Sequence, residues 1–374
     1  MPHLLSHTPH HIRPRAALAI AAAAALSLAT ALTACTSAPT SALQPAAADV
    51  TDLAGAGSTF DAPFFNLAFP AYQQGNLSTG ISYDADGSSA GITRFAAGQV
   101  NFGATDVPAS PTDLAGARGG PTLQVPVDLG AVAVAFNVPR LNGAPLRLTG
   151  PVLAKIFLGQ ITKWDDPALT TLNPGADLPD AYITVVHRSD GSGTTYIFSN
   201  YLSEVSPAWA SAVGTGRSLH WPAGTGADGN AGVAHDIERI PYSIGYAETS
   251  YTAGAALGYA AIANRDGKYT TPTPAAIAAD AAARPAISPQ DFSIVNEPGS
   301  AAYPICGYSW ALLYARQPSQ RTAQALVSLL SWLTHAGQAY AATLGYVPLP
   351  TAIQHLAADT LDRVNGPAGA PLTS

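Results

Sequence analysis

Three stretches of this chain put glycine amides and hydroxyls directly ahead of a helical pattern. They are Gly57-Ser58-Thr59-Phe60, Gly87-Ser88-Ser89-Ala90-Gly91 and Arg188-Ser189-Asp190-Gly191-Ser192-Gly193-Thr194-Thr195. Glycines let backbone N–H groups converge at a helix start, where the helix dipole also favours negative charge, and the group such a loop suits is a tetrahedral oxyanion. Arg188 supplies a guanidinium that can give two parallel hydrogen bonds to such a group, and Asp190, two residues on, can hold its orientation. Asp106 is the odd member, because a carboxylate repels an anion unless the ligand brings a proton to share. Taken singly, the Arg188 loop is equally a turn, the other two read first as N-caps, and Asp106 reads first as a turn residue or cap for the segment starting near Pro108.

Other chemistries find less support. No Lys follows the glycines around Ser192 and the GxxxxGK spacing is absent, which disfavours nucleotide hydrolysis. Ser192 lacks a GxSxG context and an evident base, so a phosphoester hydrolase is a weak alternative and the chain reads as a non-enzyme. His187, His220, His235, His335 and His355 show no metal-ligand spacing, and neither metal nor cofactor is implied. With a net charge of −7 and no Lys/Arg cluster, the chain offers no nucleic-acid surface, though a buried site can be locally positive in an acidic protein.

These loops need elements to hold them. From Ala54 onward strand-like runs alternate with helical periodicity, which predicts an α/β fold built on parallel sheets and crossover helices. Residues 63–74 read as a helix with Phe64, Leu67, Ala68 and Tyr72 on one face, Asp61 as its cap, and Pro70 kinking or shortening it. A short helix over 89–97 and a strand over 101–104 leave Asp106 just past the strand's carboxyl end. The apolar run 123–137 reads as buried sheet that carries the chain into a second domain. A strand over 183–187 leads into the Arg188 loop, and 196–202 reads as helix. Residues 304–315 return as sheet, followed by an amphipathic helix marked by Ala323, Leu326, Leu330 and Leu333. Residues 275–283 read as a short surface helix, and Asp166 before Pro167 as a helix cap.

The amino terminus reads as an address rather than as fold. Arg13 and Arg15 precede a small-apolar run over 16–31, too short to span a bilayer comfortably. It ends in Leu32-Thr33-Ala34-Cys35, which resembles a bacterial lipoprotein signal with lipidation at Cys35. Residues 36–50, rich in Ala, Ser, Thr and Pro, read as a flexible tether. Cys306 then has no intramolecular partner and reads as a small buried apolar residue.

Six segments, in order, carry a further resemblance: Gly55-Ala56-Gly57-Ser58-Thr59-Phe60, Gly87-Ser88-Ser89, Asn101-Phe102-Gly103-Ala104-Thr105-Asp106, Lys163-Trp164-Asp165-Asp166, Arg188-Ser189-Asp190-Gly191-Ser192-Gly193-Thr194 and Trp221-Pro222-Ala223-Gly224-Thr225-Gly226. Together they resemble the solute-binding proteins of phosphate-specific ABC transporters, over residues 55 to about 349. The resemblance implies a two-domain type II periplasmic-binding fold, each domain a mostly parallel sheet with flanking helices, closing on phosphate. It places domain I at 51–130 plus 303–360 and domain II at 131–302, with a tail at 361–374. It implies phosphate contacts from Thr59, the Phe60 N–H, Ser88, Asp106, Arg188, Ser192, Gly193 and Thr194, with Asp190 pairing Arg188. It also implies an exported monomer, tethered to a membrane, whose partners are inorganic phosphate and a permease; a surface sensor or scavenger of the same fold is the alternative. Ala90, Asn101 and Pro70 depart from the family's usual pattern outside that ligand set.

Overall fold

The apolar run that follows Pro121 becomes a single strand, β4 (Thr122–Asn137), whose residues from Val125 to Phe136 are all buried. A run apolar at successive positions cannot show a polar face to water, so it lies inside a sheet covered on both sides. The computed structural model describes residues 50–141, 146–253 and 257–372. The leader, Cys35 and all but the last residue of the tether lie outside the described residues.

Before β4 come β1 (Thr51–Gly57), β2 (Thr79–Asp84) and β3 (Phe102–Thr105); β5 (Arg147–Leu148), β6 (Thr184–Arg188), β7 (Thr225–Ala227), β8 (Ser243–Glu248), β9 (Gly258–Tyr259), β10 (Ala261–Ala263), β11 (Tyr269–Thr270) and β12 (Cys306–Tyr314) follow it. The main sheet has the order β2-β1-β3-β12-β4-β8-β6-β7, with β9 also on β4, while β11-β10-β5 form a small separate sheet. Pairings at both ends are parallel, β1 with β2 and β3, and β6 with β7 and β8. The middle is antiparallel, and β4 changes partner along its length: residues 122–131 pair with β12 and 132–137 with β8. The register shifts between Ser309 and Trp310, with Val127 of β4 as the extra residue, and Ser309 stands opposite Asp128.

Three expectations need correction. The first helix runs unbroken from Ala62 to Gly75 with Pro70 inside it. Pro70 and Asn66 are both exposed, so water can satisfy the carbonyl that Pro70 leaves without a donor. Phe65 stacks on Phe69 at 4.7 Å between ring centroids and Phe69 meets Phe102 edge-on ahead of the proline, while Tyr72 packs on Trp332 beyond it, which anchors the helix on both sides. Leu67 is 40% exposed rather than inward, because Phe64, Phe65, Ala68, Phe69 and Tyr72 take up the buried face. The helix expected over 196–202 begins three residues earlier and spans Gly193–Val205, so the glycine loop forms its first turn.

Other readings hold. Cys306 is buried, Asp166 Oδ1 accepts from Ala168 N at 2.8 Å as a cap, and Ala323, Leu326, Leu330 and Leu333 face the core from the helix Gln320–Thr334.

Candidate functional site

The first glycine loop leaves β1 at Gly57, whose φ of 138° is left-handed; a Cβ there would lie 2.1 Å from the Ala104 carbonyl oxygen. Only glycine lets the chain turn this close to β3. Ser58 N donates to that carbonyl at 2.9 Å, and Ser58 Oγ donates to Asp106 Oδ1 while accepting from Phe60 N at 2.9 Å. The second loop puts Ser88 at the start of the helix Ser88–Ala96, where its Oγ accepts from Gly193 N at 3.0 Å and, more distantly, from Asp106 N at 3.5 Å. Two loops 105 residues apart thus meet.

The third loop follows β6. Arg188 is 3% exposed, and its Nε and Nη2 donate in parallel to the two oxygens of Asp190, the former at 2.6 Å. Its remaining amine, Nη1, donates to Thr194 Oγ1 at 3.4 Å. Ser192 caps the helix by accepting from Thr195 N at 3.1 Å, while Ser192 N donates to Arg217 O at 2.9 Å. Thr194 Oγ1 donates to Asp106 Oδ2 at 3.3 Å. Gly193 admits no side chain, since a Cβ would come within 2.6 Å of the Asp106 Cβ.

Thr59, Ser88, Asp106, Arg188, Ser192, Gly193 and Thr194 therefore gather within one buried network. Phe60 adjoins it with its N–H committed to Ser58. Thr59 enters through a residue that sequence reasoning missed: Asn230, fully buried at the start of the helix Gly229–Arg239. Its Nδ2 donates to Thr59 Oγ1 at 2.9 Å and to Thr194 Oγ1 at 3.1 Å, while its Oδ1 accepts from Glu248 N at 3.0 Å. Thr59 Oγ1 also accepts from Asn230 N at 3.2 Å, so its own O–H is the donor it has left to offer. The Asp228-Gly229 turn before Asn230 was the available signal.

Asp106 sits among three hydroxyl donors and one cation, Arg188. Ser58, Ser309 (3.0 Å) and Thr194 donate to it. Burial pushes its carboxyl up to about 6, against the downward pull of Ser58, Ser309 and Arg188. Ser309 was another residue missed, as was Asp128, fully buried across from it on β4. Asp61 needs correction too: it holds the N-cap position but makes no capping bond, and its side chain is wholly buried beside Asp128 and Ser309. A residue that reads as a solvent-side cap is drawn inward because the loop ahead of it is pinned to Asp106 through Ser58. Among the described residues no group of three or more His, Cys, Asp or Glu side chains is placed to hold a metal ion.

Strand ends and helix starts converging on one buried cation, one acceptor and several hydroxyls define the class, a type II binding-protein fold; a family model described as the PBP superfamily domain matches residues 27–336. The phosphate-binding protein PstS of Xylella fastidiosa (strain 9a5c) is 40% identical over 302 residues, 80% of this chain and 81% of that protein, and PstS of Pasteurella multocida is 38% identical over 80% of this chain and 86% of its own length. The chain belongs to this family of PstS phosphate-binding proteins. Among solved structures, a phosphate-binding protein from Stenotrophomonas maltophilia shares the fold with a TM-score of 0.65 at 18% identity, over 82% of this chain and 92% of that one.

Proposed function

We propose that this chain binds inorganic phosphate through Thr59, Phe60, Ser88, Asp106, Arg188, Ser192, Gly193 and Thr194, and delivers it to the permease of an ABC transporter. The observation that carries the reading is the buried Arg188, held by Asp190 and facing Thr194 and Asp106. A dry cation flanked by hydroxyls suits an oxyanion, and one carboxylate among them demands that the oxyanion carry a proton. Monohydrogen phosphate can donate its O–H to Asp106; sulfate at neutral pH cannot, and would set two acceptors against each other. On binding, phosphate oxygens take over the donors that Gly193 N and Phe60 N now give to Ser88 and Ser58. The names of the PstS relatives support the same ligand.

Release to a permease requires the site to open. Lobes at 51–130 plus 303–360 and at 131–302, with residues 361–374 as a tail, fit that need, and the partner change along β4 between Ala131 and Val132 supports the division. The chain acts as a monomeric binding protein without catalysis, exported and held at a membrane by lipid on Cys35. The test is calorimetry on the soluble chain starting near Ala46. Phosphate should bind tightly with sulfate excluded, and Asp106→Asn should relax the exclusion; a wild type that ignores phosphate overturns the assignment.

A further inference from the structure

The backbone of the first glycine loop is held by three tyrosines that the ligand set does not include. Tyr83, on β2, donates its O–H to the Ser58 carbonyl at 2.7 Å. Tyr251, on the short helix Thr249–Thr252, donates to the Thr59 carbonyl at 2.7 Å, and Tyr346 to the Phe60 carbonyl at 2.5 Å. Three consecutive carbonyls thus each receive a phenol from a different part of the chain. In a trans peptide the carbonyl and the following N–H point opposite ways, so a donor that fixes one fixes the other. The carbonyl that Tyr251 takes shares its peptide with the Phe60 N–H, one of the donors proposed for phosphate. Tyr83 and Tyr346 fix the peptides on either side.

The three differ in where they stand. Tyr83 stacks on Phe102 at 6.2 Å between ring centroids and meets Phe65 edge-on at 4.9 Å, and Tyr346 meets Phe60 edge-on at 6.0 Å. All these rings belong to the proposed lobe at 51–130 plus 303–360, which carries the loop itself. Tyr251 belongs to the other lobe, where it packs against an apolar cluster that includes Val233, Ile237 and Ala247. The same lobe reaches Thr59 through Asn230, whose Nδ2 donates to Thr59 Oγ1 at 2.9 Å. Thr59 is therefore gripped across the cleft at both its carbonyl and its hydroxyl.

We propose that Tyr251 is a positioning residue for the phosphate site: reaching across the cleft, it orients the Thr59–Phe60 peptide so that the Phe60 N–H is held toward the ligand only while the lobes are closed. Tyr83 and Tyr346 hold the flanking peptides in the open and the closed state alike. The inference rests on the phosphate reading and its two lobes, and deepens it. A hydrogen bond to a peptide carbonyl also polarises that peptide, which makes its N–H a better donor to an anion. A contact made on closure slows release of the ligand, whereas one present beforehand raises the fraction of protein ready to bind.

The experiment is stopped-flow phosphate binding to the soluble chain used for calorimetry, comparing wild type with Tyr251→Phe and Tyr83→Phe. Each substitution deletes one hydroxyl and keeps its ring. Tyr251→Phe should speed dissociation by about three- to tenfold and leave association within about twofold of wild type. Tyr83→Phe should show the opposite split, with association slowed and dissociation little changed. Unchanged dissociation in Tyr251→Phe, or the same split in both variants, overturns the inference. A second measurement does not follow a general loss of stability: in the phosphate-bound protein the Phe60 amide proton should move upfield in the NMR spectrum of Tyr251→Phe, the sign of a weaker hydrogen bond. An unmoved Phe60 amide also overturns it. A wild type that binds phosphate in the same samples keeps either failure separate from failure of the phosphate assignment.

Discussion

Arg217 Nη2 lies 2.5 Å from Asp113 Oδ1, joining two segments 104 residues apart, and the same Arg217 accepts the Ser192 N–H through its carbonyl. The pair thus ties the cap of the Arg188 loop to the turn after Asp106. Both side chains are about one-fifth exposed, which makes them a partly solvated bridge rather than a buried one. Such a pair contributes about 0.5–1 kcal/mol and is weakened by salt. Arg217→Ala should speed phosphate release by roughly two- to fivefold. Stopped-flow displacement at low and high salt checks this, and the variant should also lose most of the salt dependence.

Arg188→Lys tests the parallel hydrogen bonds to Asp190. An ammonium is a point donor and cannot give a fixed fork to Asp190 while keeping an amine toward Thr194. Losing one charge-assisted bond of about 1.5–3 kcal/mol should weaken phosphate roughly ten- to hundredfold, measured by calorimetry. A loss under threefold would remove Arg188 from the ligand set.

Asn230→Ala removes the bridge between Thr59 and Thr194 and leaves the Glu248 N–H without its acceptor. Stability should fall by about 1–3 kcal/mol in urea unfolding. Phosphate affinity should fall with it, because the Thr59 hydroxyl loses the side-chain amide donor that orients it and keeps only the backbone N–H of residue 230. Stability and affinity both unchanged would contradict the bridge.

The free protein should lose stability as pH rises from mildly acid to mildly alkaline. Burial raises Asp128 from its ordinary 3.8 to about 7, Asp280 from 3.8 to about 8 and Glu248 from 4.5 to about 8. Acids whose folded values exceed their unfolded ones bind more protons when folded, so their contribution is complete below about pH 4 and is lost as pH climbs through 7 to 8. Thermal unfolding without ligand should give a lower Tm at pH 8.5 than at pH 5.5. Asp280→Asn should flatten the slope; a Tm that rises across this range would contradict the raised acids.

Much of the site is legible in local sequence. Arg188 and Asp190 are two residues apart, and the glycines after them already announce a helix start carrying donors. The same holds for Gly57 to Phe60 and for Gly87 to Ser88, since loop shape depends on a few neighbouring residues. The α/β alternation and the buried run of β4 follow from periodicity, which is likewise local.

What the chain alone left open depends on partners far along it. Ser309 is 203 residues from the Asp106 it donates to, and Asn230 is 171 from Thr59. Nothing in their own neighbourhoods distinguishes them from ordinary polar residues. Asp61 read as a cap and Pro70 as a break, because each was weighed against its own helix instead of against the sheet beneath it. Local residue types determined which groups could hold an anion. Which buried acids, amides and hydroxyls surround those groups was decided by strand order, β3 beside β12 beside β4, because burial and hydrogen bonding act across space and a short stretch of chain fixes only its own conformation.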